Sequence, residues 1–309
     1  MLTKFSSAEE RITTEIMGLL LPHRRHVVGQ EHAPVSAFGP QHAQIASFTA
    51  TGAPILFTIP GFPCKSPNLD KVIGTLPDEG ERLSLKFLDD LCGAITAVYP
   101  PGAKMLICSD GHVFGDHIGV PDETIDAYGA ALRGMIRQEA CTHLDVFDLG
   151  DVLGDADYDE KRRSVHYRFA PALDELRAEV RTDEHMTRLY RGITRFLVED
   201  AAGHTGTKSA LQRVCRDRAY AVIQRSNAWG SLIAEQFPSS VRLSIHPQPV
   251  GSAKFGIRLL AIEDQWTTPW HSCLLIGRDG VPVLLPHRRA RSLGELVCKD
   301  GLPSHYVAL

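Results

Sequence analysis

The chain has 309 residues, 43% of them hydrophobic, with a formal net charge of −4 from 33 basic and 37 acidic residues. This is ample for a full globular core, and it offers neither the basic field that binds nucleic acid nor an acidic tail. The longest apolar runs, such as Met17–Leu21, are too short for a membrane span, and the N-terminus lacks the apolar centre of a signal peptide. Seven scattered cysteines without a CxxC pair point to reduced thiols in a cytoplasmic protein, not to a disulfide framework or a zinc ribbon.

Ser6 or Ser7 is a candidate cap for a first helix running to about Leu21, with Glu9 and Glu10 in its first turn. Residues 22–54 show no clear period. PILFTI (54–59) reads as a short buried strand leading into IPGFPCKSPN (59–68). There, prolines and a glycine stiffen the backbone around Lys65. Asp78 is a plausible cap for a helix to about Val98, with Leu85, Leu88, Leu91, Ile95 and Val98 as its buried stripe. KMLICSDG (104–111) predicts a second strand ending in a polar turn, Pro121 and Asp122 open a helix near 122–139, and LDVFDLG (144–150) is a third strand. The alternation indicates a parallel α/β sheet, and ligands of such sheets sit beyond the carboxyl ends of the strands. The proline loop and the SDG turn are both at such ends.

Residues 171–237 read as mainly helical, interrupted near AAGHTG (201–206). From Val241 the texture becomes β: VRLSIH, FGIRLLAI and SCLLIG, the last joined by an RDG turn to VPVLL. This end is expected to form antiparallel strands that extend or cover the first sheet. The chain reads as a single catalytic domain, 1–309: an α/β part over about 50–150, a mainly helical part over 155–237 and a mainly β part over 240–309.

No Walker A loop, GxGxxG, HExxH or GxSxG motif occurs. In CSDGHVFGDHIGV (108–120), Asp110, His112, Asp116 and His117 suit a structural turn, a substrate site or a metal, although the spacing matches no standard metal site. His23, His26 and His32 suggest a metal or, more simply, a basic turn around HRRH, and Cys64 reads as a packing residue more than a nucleophile. Arg242, Ser244 and His246 alternate onto one face of a strand. Trp270 and His271 open the next one, the tryptophan being either packed or part of a site.

FPCKSPNLDKVIGTLPDEGERLSLKFL (62–88), YPPGAKMLICSDGHVFGDHIGVPDETIDAYG (99–129), YAVIQRSNAW (220–229), VRLSIHP (241–247) and TPWHS (268–272) occur in this order. As a set they resemble the pyoverdine/dityrosine biosynthesis family, whose bacterial members are isonitrile synthases. The resemblance covers about residues 50–309. It departs from the family pattern at Cys64, where a small residue is usual, at His112, where arginine is more frequent, and over PHRRARS (286–292).

The resemblance implies a Rossmann-like fold and a lyase-type enzyme with no metal or organic cofactor. Its substrates would be an L-amino acid, tyrosine or tryptophan, and ribulose 5-phosphate as co-substrate, whose C2 becomes the isonitrile carbon. The product would pass to a downstream oxygenase. That chemistry needs anion sites for a phosphate and a carboxylate, and groups that move protons. Lys65, His246, His271 and Asp116 are the candidate catalytic residues. Ser66, Asn68, Arg82, Ser109, Asp110, Arg242 and Trp270 are candidates for substrate binding. On this reading the prolines hold Lys65 ready for the phosphate. The alternatives are a Schiff-base lyase working through Lys65 and a non-catalytic small-molecule-binding protein of the same fold.

Overall fold

The structure, a computed structural model, describes residues 7–201, 204–262 and 267–309. The capping role expected at Ser6 or Ser7 lies outside the described residues and side chains, as do Ala202 and Gly203 of the interruption. Helix α1 (Ser7–Leu20) buries Ile16, Met17 and Leu20. Helix α2 (Gly39–Thr51) was not legible. Its buried face mixes Gln41 and Thr49 with Ile45 and Ala46, so no apolar period marks it. Gly52 ends it at φ 66°, the left-handed conformation that glycine adopts without a Cβ penalty.

Strand β1 (Ile55–Pro60), helix α3 (Glu79–Val98) and strand β2 (Ala103–Cys108) lie where the sequence places them. Helix α3 starts in a capping box. Asp78 Oδ1 accepts from the Gly80 N–H at 2.8 Å, and Glu81 Oε2 accepts from the Asp78 N–H at 3.0 Å. The expected polar turn after β2 is a short helix, α4 (Gly111–Ile118), broken by non-helical backbone at Phe114. Helix α5 (Asp122–Gln138) and strand β3 (Leu144–Phe147) follow. The helical part is α6 (Tyr158–Phe169), α7 (Leu173–Thr182), α8 (Glu184–Asp200) and α9 (Lys208–Gln236).

The C-terminal strands correct the sequence reading. Strands β4 (Val241–Ser244) and β5 (Phe255–Gly256) join the first sheet, and they do so in parallel. The resulting parallel sheet has the order β3-β2-β1-β4-β5. A parallel neighbour requires a long return connection. Helices α6–α9 supply it between β3 and β4, and the 245–254 loop supplies it between β4 and β5. Only the remaining strands form a separate sheet, of order β7-β6-β9-β8: β6 (Cys273–Ile276), β7 (Pro282–Leu285), β8 (Gly294–Lys299) and β9 (Leu302–Ala308). It is mixed, because β6 and β9 run parallel while the β6–β7 and β8–β9 pairs are antiparallel. Helix α10 (His287–Leu293) links β7 to β8.

The main core lies around the first sheet, where Phe57, Ile59, Met105, Ile107, Val241 and Leu243 meet α3 and α5 through Leu85, Leu88 and Leu132. All seven cysteines are free thiols, and all but Cys298 are buried. Among the described residues, no helix is long and apolar enough to cross a membrane.

Candidate active site

In the first sheet the strand order reverses between β1 and β4, because β2 and β3 lie to one side of β1 and β4 and β5 to the other. Such a switch point opens a crevice at the carboxyl edge. The proline loop leaves β1 there, the Ser109–Gly111 turn leaves β2, and Ile245–His246 leaves β4.

The two expected loops do meet. Ser109 Oγ donates to the Phe62 carbonyl at 2.8 Å. A Cβ on Gly111 would stand 2.1 Å from the Pro63 carbonyl oxygen, so only glycine permits this approach. Phe62 itself takes a left-handed φ of 53°, an uncommon state for a non-glycine residue. Its ring packs against Trp270, centroids 5.1 Å apart. A short 3-10 turn, Pro269–His271, closes over the loop, and the Trp270 carbonyl accepts the Ser66 N–H at 2.8 Å. Ser109 and Trp270 thus serve the architecture of the loops, and Trp270 is only 2% exposed.

Lys65 is fully engaged inside the protein. Its ammonium is buried and donates to Asp78 Oδ2 at 2.8 Å, Glu81 Oε2 at 2.7 Å and the Pro269 carbonyl at 3.0 Å. Those contacts use all of its protons. Burial pulls the lysine pKa down, but Asp78 and Glu81 outweigh it and the net shift is upward. Tyr128 Oη donates to the other Glu81 oxygen at 3.2 Å. The capping box of α3 is therefore also the counter-charge of Lys65, and the stiff loop anchors that helix.

Other candidates are likewise committed elsewhere. Arg82 is bound by Glu79 and Glu139. Asn68 donates to the Glu199 carbonyl at 2.7 Å and accepts from the Asp70 N–H. Ser66 Oγ accepts from the Asn68 N–H at 3.1 Å. Asp116 is paired with Arg225 at 3.2 Å and joins α4 to α9. His112, buried, stacks on Tyr158 with centroids 3.8 Å apart and faces Asp126.

Four candidates are left with capacity. Asp110, in the N-cap position of α4, makes no capping bond with its side chain. Its Oδ1 is buried without a hydrogen-bond partner, and burial raises its pKa to about 7. His246 is exposed by area yet densely surrounded. Desolvation lowers its pKa to about 4, with Arg25, Lys254 and His185 adding repulsion. His271 is partly exposed, and desolvation with Lys71, Lys65 and His246 lowers it to about 3. Its Nδ1 is buried and unpaired, and its ring meets the edge of Phe196 at 4.6 Å. His246 follows the carboxyl end of β4 and His271 ends the turn over the proline loop, and the pKa of each is held far below the ordinary imidazole value. Arg242, half-buried, donates to the Gly230 carbonyl at 2.8 Å and meets no carboxylate among the described residues.

Lys254, just before β5, is a further cation here. Nothing in its local sequence marks it, because its relation to Arg242 depends on how α9 crosses β4.

The pyoverdine/dityrosine biosynthesis protein family matches residues 45–297 of this chain. The chain is 44% identical to the L-tyrosine isonitrile synthase of Xenorhabdus nematophila, covering 96% of this chain and 92% of that protein. It is 41% identical to the L-tryptophan isonitrile synthase AmbI2 of Fischerella ambigua, again over 96% and 92%. The crystal structure of the PvcA protein from Pseudomonas aeruginosa superposes with a TM-score of 0.91 at 42% identity, covering 96% of this chain and 100% of that one. With a parallel sheet, a crevice at its switch point and this extent of likeness, the chain belongs to the pyoverdine/dityrosine biosynthesis protein family.

Proposed function

We propose that this protein is an isonitrile synthase. It converts the amino group of L-tyrosine or L-tryptophan to an isonitrile, with C2 of ribulose 5-phosphate as the carbon source. The names of its relatives support the reaction and both amino acids. The observation that carries the reading within this chain is Asp110, a carboxyl at a strand end whose Oδ1 is buried without a hydrogen-bond partner and whose pKa burial raises to about 7.

An α-ammonium must lose a proton before its nitrogen can attack a ketone. A carboxyl poised near neutrality takes that proton, whereas an ordinary aspartate is too weak a base. Loss of water then gives the imine and requires a proton on the departing oxygen. Neutral His246 and His271 are suited to relay such protons. The C1–C2 and C2–C3 bonds then break and leave C2 on the nitrogen, with C1 departing as formaldehyde and C3–C5 as a three-carbon hydroxycarbonyl fragment once phosphate has left C5; Arg242 is suited to hold an anionic group. No metal or organic cofactor enters this scheme.

The strand order β3-β2-β1-β4-β5 supports a Rossmann-like description. The site takes residues from the first sheet and from the turn that leads into the second, which supports reading residues 1–309 as one catalytic unit. Free thiols support a cytoplasmic location, and the isonitrile is passed to a downstream oxygenase. The full engagement of Lys65 leaves the Schiff-base alternative without a free amine.

The test is mass spectrometry of purified protein with each amino acid and ribulose 5-phosphate labelled at C2. The expected product is the amino acid gaining one labelled carbon and losing two hydrogens. Folded protein that forms no such product with any amino acid overturns the proposal.

A further inference from the structure

The cations of this molecule divide into two kinds. Lys65, Lys71, Arg82 and Arg162 each lie against carboxylates. Among the described residues, Arg242 and Lys254 meet none. Both are half-buried. Burial lowers the pKa of each, and for Lys254 the next cause is repulsion from Arg242. They converge on one spot beside α9, where a Cβ on Gly230 would lie 3.4 Å from Arg242 Nη2 and 3.9 Å from Lys254 Nζ.

The Arg242 side chain and the backbone at Lys254 are both fixed by hydrogen bonds. Arg242 is fixed by the Gly230 carbonyl. The loop before Lys254 is pinned where Gln41 Nε2 donates to the Ser252 carbonyl at 2.8 Å, and the Lys254 N–H donates to Ser252 Oγ at 3.2 Å. Holding like charges together out of bulk water is unfavourable unless an anion completes the set. Two neighbouring positive charges with no counter-charge among the described residues match a doubly charged anion better than a single carboxylate.

We infer that Arg242 and Lys254 form the binding site for a phosphate monoester, with Gly230 leaving the space that the anion occupies. The inference rests on the proposed function in one respect: it makes the sugar phosphate, not the amino-acid carboxylate, the ligand of Arg242. It also moves the phosphate site from Lys65, on the proline loop, to the β4–β5 side of the crevice.

Equilibrium dialysis with labelled inorganic phosphate, ribulose 5-phosphate and L-tyrosine tests this without requiring turnover. Wild-type protein is expected to bind both phosphates. Lys254→Met is expected to weaken them about tenfold to a hundredfold, the usual loss for one charged hydrogen bond, and to leave tyrosine binding unchanged. Gly230→Ala is an independent variant. Alanine favours the helix by roughly 1 kcal/mol over glycine, so thermal stability is expected to hold or rise while phosphate binding falls.

The inference is overturned if wild-type protein binds neither phosphate, if Lys254→Met binds them as tightly as wild type, or if it weakens tyrosine binding instead. Protein that forms no isonitrile but binds phosphate through Lys254 upholds the anion site and removes only the functional reading.

Discussion

Gly111 and Pro63 touch so closely that the α-carbon of one leaves no room for a side chain beside the carbonyl of the other. An added Cβ would lie 2.1 Å from the Pro63 oxygen and 2.8 Å from Ile125 Cγ2. The carboxyl ends of β1 and β2 are thereby locked at one separation, and the crevice has a fixed wall. Gly111→Ala is expected to destabilise the fold by roughly 1–3 kcal/mol, since backbone must move. Urea denaturation measures this, and a change under about 0.5 kcal/mol would show that the loops separate freely.

Lys65 offers a different outcome from the one its loop suggests. Lys65→Met leaves Asp78 and Glu81 buried without their cation, at a cost of roughly 3–5 kcal/mol. Neutralising both carboxylates in the same chain, Asp78→Asn with Glu81→Gln, should recover much of that loss. A Lys65→Met protein as stable as wild type, but inactive, would return Lys65 to the chemistry.

Asp110→Asn should lower turnover by about 10²–10⁴-fold. In wild type, activity should rise as pH passes through about 7, where Asp110 ionises, and the variant should lose that limb. Stability should move the other way. The folded pKa lies above the ordinary aspartate value of 3.8, so this group's contribution is complete below about pH 4 and is lost as pH rises through about 7. Asp110→Asn should therefore be more stable than wild type at pH 8. Losing activity and gaining stability together is a signature that a merely structural aspartate does not give.

How much of this was visible in the sequence depended on what kind of relation was involved. Helix α3 and strands β1 and β2 were legible because apolar spacing and a capping aspartate are local. Asp110 was legible as a residue at a strand end. The direction of Lys65 was not, because its partners Asp78 and Glu81 come from the next element and no periodicity records which way a loop side chain turns. The parallel pairing of β4 was hidden for the same reason, since short β runs near a terminus look alike whichever neighbour they choose. Lys254 gains its meaning only where α9, β4 and the 245–254 loop meet.

His246 and His271 have pKa values pushed down to about 4 and about 3. Neither should titrate between pH 5 and 8, and imidazole NMR resonances check this directly. Because both folded values lie below the ordinary 6.5, their contribution to stability is present above that pH and is lost as pH falls through about 4 for His246 and about 3 for His271. An imidazole at either position that protonates near 6.5 would place it in open solvent and out of the crevice.

Asp116 and Arg225 form a half-exposed pair. Asp116→Asn should change stability by less than about 1 kcal/mol and leave product formation essentially intact. A loss of turnover on the scale expected for Asp110→Asn would restore Asp116 to the catalytic set.

The thiols have a practical consequence. Burial raises Cys64, Cys92, Cys108 and Cys273 to about 12 and Cys141 to about 11, and Cys215 is also raised. Alkylating reagents attack thiolate, and these groups hold almost none. Only Cys298, exposed on β8, is open to modification in the native state. A maleimide dye would then mark each folded molecule once, at the edge strand farthest in chain order from the crevice loops, and every additional label would report a molecule that had opened.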